Sequence, residues 1–173
     1  MFKKNIVLIG MMAAGKTTIG YKLAKKLNYN FFDIDKEIEK LENEKIINIF
    51  QNKGEAYFRK IEEKLSLTFL DKNNCVLSLG GGAFINENIR KKIKKNSYSF
   101  WLNWKIRTIL YRISKNKNRP LALSLKNKDL ADLYKKRIKF YRLSDFKINC
   151  EKKNKNEIIK NIFKILENED SFN

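Results

Sequence analysis

The stretch Ile6-Val-Leu-Ile-Gly10-Met-Met-Ala-Ala-Gly15-Lys16-Thr17-Thr18 decides the fold. Its first four residues are apolar and mostly β-branched, as in a strand buried on both faces. The strand runs into Gly10-x-x-x-x-Gly15-Lys16-Thr17, which fits the phosphate-loop pattern G-x-x-x-x-G-K-[ST]. Behind the loop, Lys16–Leu27 sets Ile19, Leu23 and Leu27 on one helical face. Strand, glycine loop and helix in this order aim backbone N–H groups and the positive end of a helix dipole at one spot, which suits an anion. Ala13, Ala14, Gly15, Lys16, Thr17 and Thr18 are the candidate phosphate-binding residues. Glycine permits close backbone approach, Lys16 reaches the terminal phosphates, and the Thr17 hydroxyl is a candidate ligand of Mg²⁺. Lys3 and Lys4 ahead of the apolar run imitate a signal peptide. The phosphate loop accounts for the same residues better, and the run is too short to span a bilayer.

Outward from the loop, short β-branched or aromatic runs alternate with amphipathic stretches. The predicted strands are Asn5–Gly10, Asn30–Asp35, Cys75–Gly80, Tyr98–Asn103 and Phe146–Cys150. The predicted helices are Lys16–Leu27, Glu55–Leu70, Trp104–Ser114, Leu130–Leu143 and Asn156–Leu166. Such alternation predicts an α/β fold of three layers, with a parallel sheet covered by helices on both sides. With 173 residues, no internal repeat and no linker, residues 1–173 read as a single domain.

Composition narrows the chemistry. The absence of histidine excludes a His-based triad, a His general base and a His-ligated zinc site. Two cysteines cannot build a disulfide scaffold. The net charge of +19 invites a nucleic-acid reading. However, 31 of the 38 basic residues are lysines spread along the whole chain, whereas nucleic-acid readers concentrate arginines and aromatics on one face. The expectation is a solvated basic surface with no specific nucleic-acid partner, no membrane contact and a cytoplasmic location.

A second constellation follows the second predicted strand. In Phe32-Asp33-Ile34-Asp35 a period of two would point both carboxylates to one face, near the phosphate loop, where they suit Mg²⁺ and an acceptor hydroxyl. An N-cap role for Asp35 is the plainer alternative. Further on stand Gly54-Glu-Ala-Tyr-Phe58-Arg59-Lys-Ile-Glu62 and Leu77-Ser78-Leu79-Gly80-Gly81-Gly82. Three consecutive glycines after a strand offer backbone amides to a small polar ligand. A guanine-reading N-K-x-D element is absent, so a small kinase fits better than a GTPase.

These motifs, with Phe50, Arg119-Pro120-Leu121 and Arg137…Tyr141, resemble the shikimate kinase family in order and spacing through nearly the whole chain. The resemblance implies a P-loop kinase with a five-stranded parallel sheet in the order 2-3-1-4-5. It also implies transfer of the ATP γ-phosphoryl to the 3-hydroxyl of shikimate, a step toward chorismate. The family roles fall on matching positions. Asp35 would orient the reacting hydroxyl and accept its proton. Arg59 and Arg137 would hold the carboxylate, and guanidinium forks suit that task. Gly80, Gly81 and Gly82 would give backbone contacts, and Phe50 and Phe58 would wall the ring. Asp33 and Ser78 would act around Mg²⁺ beside Thr17. Arg112 would stack on adenine. Arg119 would stabilise the transferred phosphoryl from a mobile lid spanning about 114–128, with the acceptor region at about 33–61. The partners implied are ATP, ADP and shikimate, for a monomer.

Three positions depart from the family pattern. Ala13 stands where glycine is usual, and it fits without strain only if its φ is negative. Leu121-Ala122 replaces Leu-Leu after Arg-Pro. The segment Lys152–Lys155 lacks the usual Arg and Pro, which leaves its nucleotide contacts open. A gluconate or nucleoside-monophosphate kinase is the alternative within the same fold, and a nucleic-acid-binding P-loop protein the alternative outside it.

Overall fold

A computed structural model describes residues 4–115 and 127–170. The elements run β1 (Asn5–Ile9), α1 (Lys16–Leu27), β2 (Asn30–Asp33), α2 (Ile34–Glu42), α3 (Ile46–Leu70) and β3 (Cys75–Ser78). After a single 3₁₀ turn at Ala83–Ile85 come α4 (Glu87–Asn96), β4 (Ser97–Asn103), α5 (Ile106–Ser114), α6 (Asn127–Tyr141), β5 (Phe146–Asn149) and α7 (Lys155–Asp170). The strands form one parallel sheet in the order β2-β3-β1-β4-β5, as the resemblance implies. Arg119 and most of the expected lid lie outside the described residues.

The central strand β1 separates two cores. Ile6 and Leu8 face a cluster that includes Ile19 and Leu23 of α1 and Ile158 and Ile162 of α7. Val7 and Ile9 face the opposite cluster, with Ile34 and Ile38 of α2, Phe58 of α3, and Ile89 and Ile93 of α4. The alternation is the period of two of a strand packed on both sides. These four apolar residues of β1 have at most 1% exposure, and each such burial is worth roughly 1.5–3 kcal/mol. The sheet order places the chain reversal next to β1, and ligands gather in the crevice at such a point.

Two helices were not predicted. In α2, Ile34 and Ile38 are buried one turn apart, and the expected continuation of β2 to Asp35 does not occur. In α4 only Ile89 and Ile93 are buried, too few for a strong periodic signal. Its start was nevertheless written in the sequence: the Asn86 side chain accepts from the N–H groups of Asn88 and Ile89, a plain N-cap. Within α3 the chain breaks at Gly54, whose φ of 81° and ψ of 169° only glycine adopts easily, so the helix expected over Glu55–Leu70 forms after the break, and the helical stretch from Ile46 that precedes it was not expected. Among the described residues, no helix is long and apolar enough to cross a membrane. Cys75 and Cys150 are buried free thiols, and burial pushes their pKa values up to about 11 and about 12.

Candidate active site

The C-terminal ends of β1, β2, β3 and β4 open on a cleft of about 940 Å³. Residues 12–18 form one wall, with Asp33, Asp35, Ser78 and Gly81 at one end and Trp104, Arg112 and Lys153–Asn156 at the other. The phosphate loop therefore stands where the sequence placed it. Lys16 Nζ folds over the loop and donates to Gly10 O at 2.9 Å and Met11 O at 3.1 Å. Ala13 has a φ of 62°, so the substitution of alanine at this position is strained. The left-handed conformation costs an L-residue roughly 1–2 kcal/mol. Donors from outside the loop hold it: Arg112 Nη1 reaches Ala13 O at 3.4 Å, and Trp104 Nε1 donates to Ala14 O at 3.0 Å.

Asp33 ends β2 and stands opposite Ser78 at the end of β3. Both are buried, with 7% and 2% exposure. Thr17 Oγ1 donates to Asp33 Oδ2 at 2.5 Å. Asp33 and Asp35 line the same cleft, but not as alternate residues of one strand. The strand ends at Asp33, and Ile34 begins α2, so Asp35 sits in a first helical turn. A carboxylate there gains from the helix dipole. The N-cap position belongs to Asp33, whose side chain makes no capping bond, so Asp35 is not the N-cap residue.

The glycine triplet has a side-chain rationale that the sequence did not reveal. None of the three has a positive φ, so conformational freedom is not what requires them. Space is. A Cβ on Gly80 would crowd Glu62 Oε1 and lie 2.8 Å from Asp35 Oδ1. On Gly81 it would meet Arg137 Nη1 at 3.0 Å, and on Gly82 it would meet Arg59 Nη1 at 2.7 Å. The triplet thus gathers Asp35, Glu62, Arg137 and Arg59 around one short loop.

Arg59 donates from Nη1 to Glu62 Oε2 at 2.6 Å and from Nε and Nη2 to Glu55 Oε1 at 3.1 and 2.9 Å. Three of its five N–H groups are engaged in these bonds, which leaves two for another acceptor. Arg137 is buried at 9% exposure; its Nη1 touches Met11 Sδ at 3.8 Å and its Nε has no protein partner. Nearby, Tyr141 Oη donates to Gly81 O at 2.5 Å, and burial pushes the phenol up to about 12. Phe50 and Phe58 pack with ring centroids 4.6 Å apart; Phe58 is a core residue, and Phe50 is half-buried beside it. The Arg59 guanidinium lies 5.2 Å from the Phe58 ring.

Glu62 received no role from the sequence. It is 2% exposed, its Oε1 has no protein partner, and burial outweighs the attraction of Arg59 in raising its pKa. Its spacing of three from Arg59 was the available signal, since such residues share a helix face. Trp104 was also missed, although it directly follows β4 at the end of the sheet where ligands collect. The segment left open near Lys152–Lys155 is fixed by a capping box. Asn154 Oδ1 accepts from Asn156 N and Glu157 N, and Glu157 Oε2 accepts from Asn154 N. Lys153, Asn154 and Lys155 consequently reach the cleft.

The family model described as shikimate kinase matches residues 12–167. A shikimate kinase of Persephonella marina is 40% identical over 159 residues, covering 92% of this chain and 96% of its own. One of Sulfurihydrogenibium sp. is 41% identical over 159 residues, covering 92% and 95%. The solved structure of the shikimate kinase from Acinetobacter baumannii in complex with shikimate superimposes with a TM-score of 0.89 at 32% identity, covering 96% of this chain and 94% of that one. With a family model matched over residues 12–167 and relatives this similar along nearly their whole length, the chain belongs to the shikimate kinase family.

Proposed function

We propose that the protein transfers the γ-phosphoryl of ATP to the 3-hydroxyl of shikimate, giving shikimate 3-phosphate and ADP. The observation that carries the reading is the meeting, across adjacent strand ends, of a phosphate loop with Asp35, Arg59 and Arg137 gathered on the glycine triplet. The first feature suits a nucleotide polyphosphate, and the second suits a compact hydroxy-carboxylate.

Transfer makes a bond from the shikimate oxygen to phosphorus and breaks the bond between phosphorus and the β,γ-bridging oxygen. The hydroxyl proton goes to Asp35. Because the transition state is loose, orientation of the hydroxyl by that carboxylate contributes more than early proton removal. Arg59 and Arg137 hold the substrate carboxylate and fix the ring between Asp35 and the phosphate loop. Glu62 anchors Arg59 from behind, and Tyr141 holds the Gly81 peptide in place. Lys16 leaves its loop carbonyls for the β- and γ-phosphates, and Arg119 adds charge at the transferring group.

The donor set suits Mg²⁺. Thr17, Asp33 and Ser78 supply hard oxygens with a single carboxylate, and Mg²⁺ takes few protein ligands beside water and phosphate. The Thr17 hydroxyl donates its proton to Asp33, so its lone pairs remain for an ion. Bound there, Mg²⁺ would neutralise charge on the phosphates. The proposal extends to a monomer in the cytoplasm whose spread lysines serve no nucleic acid.

ADP release tests the reading, measured with ATP and Mg²⁺ against shikimate, gluconate and nucleoside monophosphates. Turnover of shikimate alone is expected. Turnover of gluconate or a nucleotide with none on shikimate would overturn it.

A further inference from the structure

We propose that Trp104 is a positioning residue for the nucleotide, tying the phosphate loop and the base-side arginine into one unit. The inference rests on the ATP reading of the cleft given above. Trp104 is 6% exposed and lines that cleft beyond β4. Three contacts meet on it. Its indole Nε1 donates to Ala14 O at 3.0 Å, and its ring lies 3.6 Å from Arg112 Cζ. Its own carbonyl accepts from Tyr134 Oη at 2.9 Å, which ties it to α6.

Each contact has a geometric consequence. A trans peptide points its C=O and N–H in opposite directions. Drawing Ala14 O toward the indole therefore turns Gly15 N–H to the far side, and Gly15 lines the cleft. The amide that a phosphate needs is thus oriented by a side chain 90 positions away. This external hold matters because the loop carries the left-handed Ala13, whose carbonyl is held in turn by Arg112. Arginine on a bare surface samples many rotamers. Here the guanidinium carbon lies over the indole ring at 3.6 Å and Nη1 reaches Ala13 O, and these two contacts restrict where the guanidinium can stand beside a base.

Two substitutions separate the contacts. Trp104→Phe keeps a ring under Arg112 and deletes the N–H, while Trp104→Leu removes both. Trp104→Phe should raise KM for ATP and Kd for ADP about five- to tenfold, the usual worth of one such hydrogen bond. KM for shikimate should stay within about twofold. Trp104→Leu should weaken ATP further, again with shikimate spared. The chain has two tryptophans, so in a Trp101→Phe background all indole emission comes from Trp104. ADP should change that emission saturably, and shikimate alone should not. Equal rises in both KM values, or a lowered melting temperature with both KM values unchanged, would overturn the proposal. Should Trp104→Phe fail to fold, the emission titration decides: no change at ADP concentrations that calorimetry shows to be saturating overturns it. Failure of the unmutated chain to bind ADP would instead remove the ATP reading itself.

Discussion

Replacing Gly80 with alanine tests the acceptor site at its tightest point. The backbone there is not in the left-handed region, so alanine brings no conformational penalty and the effect is steric. The new Cβ would lie 2.8 Å from Asp35 Oδ1 and closer to Glu62 Oε1. Ordinary contact requires about 3.4 Å, so the Asp35 carboxylate must retreat by about 0.6 Å. The tighter clash, with Glu62 Oε1, must be relieved by Glu62 itself, which is 2% exposed and bonded to Arg59 at 2.6 Å, so Arg59 is disturbed with it. Asp35 is half-buried, so its carboxylate has room to give way. A misplacement near 1 Å costs on the order of 10²-fold in rate, so ~0.6 Å should lower kcat/KM for shikimate by about 10- to 30-fold. Overpacking should cost a further ~1–3 kcal/mol of stability. KM for ATP should not move. A coupled assay of ADP release, with each substrate varied in turn, supplies the numbers. Activity within about threefold of the parent chain, or a matching rise in KM for ATP, would refute the assignment of Asp35 to the reacting hydroxyl.

Other substitutions probe the remaining parts. Asp35→Asn should lower kcat/KM by ~10²–10⁴-fold with little change in melting temperature; a loss below about threefold would contradict its role. Arg59→Lys and Arg137→Lys should weaken shikimate binding and spare ADP, because lysine keeps the charge and loses the fork; calorimetric titration with both ligands checks this, and selective loss of ADP would move the residue out of the acceptor site. Ala13→Gly should raise stability by about 0.5–1 kcal/mol in urea unfolding, since relief of the left-handed strain exceeds the added freedom of the unfolded chain. Burial raises the Glu62 pKa in the folded chain above its ordinary 4.5, so its contribution to stability is fully present below that ordinary value and is lost as pH rises through the raised one. Glu62→Gln should therefore remove a component of stability that declines as pH rises above about 4.5, read as the difference between two unfolding series; identical pH profiles would show that Glu62 does not titrate in this way.

The strands were legible because each is a short apolar run bounded by turn residues, and α1 was legible to the residue because the glycine loop fixes its start. What the sequence hid has physical causes. β2 was extended to Asp35 because alternation reads through a boundary that neither Gly nor Pro marks, yet Ile34 and Ile38 belong to a helix. The pairing of each triplet glycine with a charged partner depends on α2, α3 and α6 converging, which is long-range information. Arg59 and Glu62 lie in one sequence motif, but burial of the carboxylate is a property of the packed molecule. The Ala13 strain turned on the sign of one dihedral angle, and no composition reveals that.

The order of the sheet also sets a timetable for synthesis. β1 is made first among the strands, yet its partners are β3 and β4, which end at Ser78 and Asn103. On the ribosome, at roughly 5–20 residues per second, β1 waits about 4–20 s before both partners exist. Until β3 is made, Ile6-Val-Leu-Ile is an apolar, β-prone segment with two unpaired edges, and until β4 is made it keeps one, the kind that recruits other nascent chains. Lys3 and Lys4 on one side act as charged gatekeepers in sequence, repelling like segments on the neighbouring polysome. Neutralising those two lysines should leave the folded sheet almost unchanged and lower the soluble yield of newly made protein.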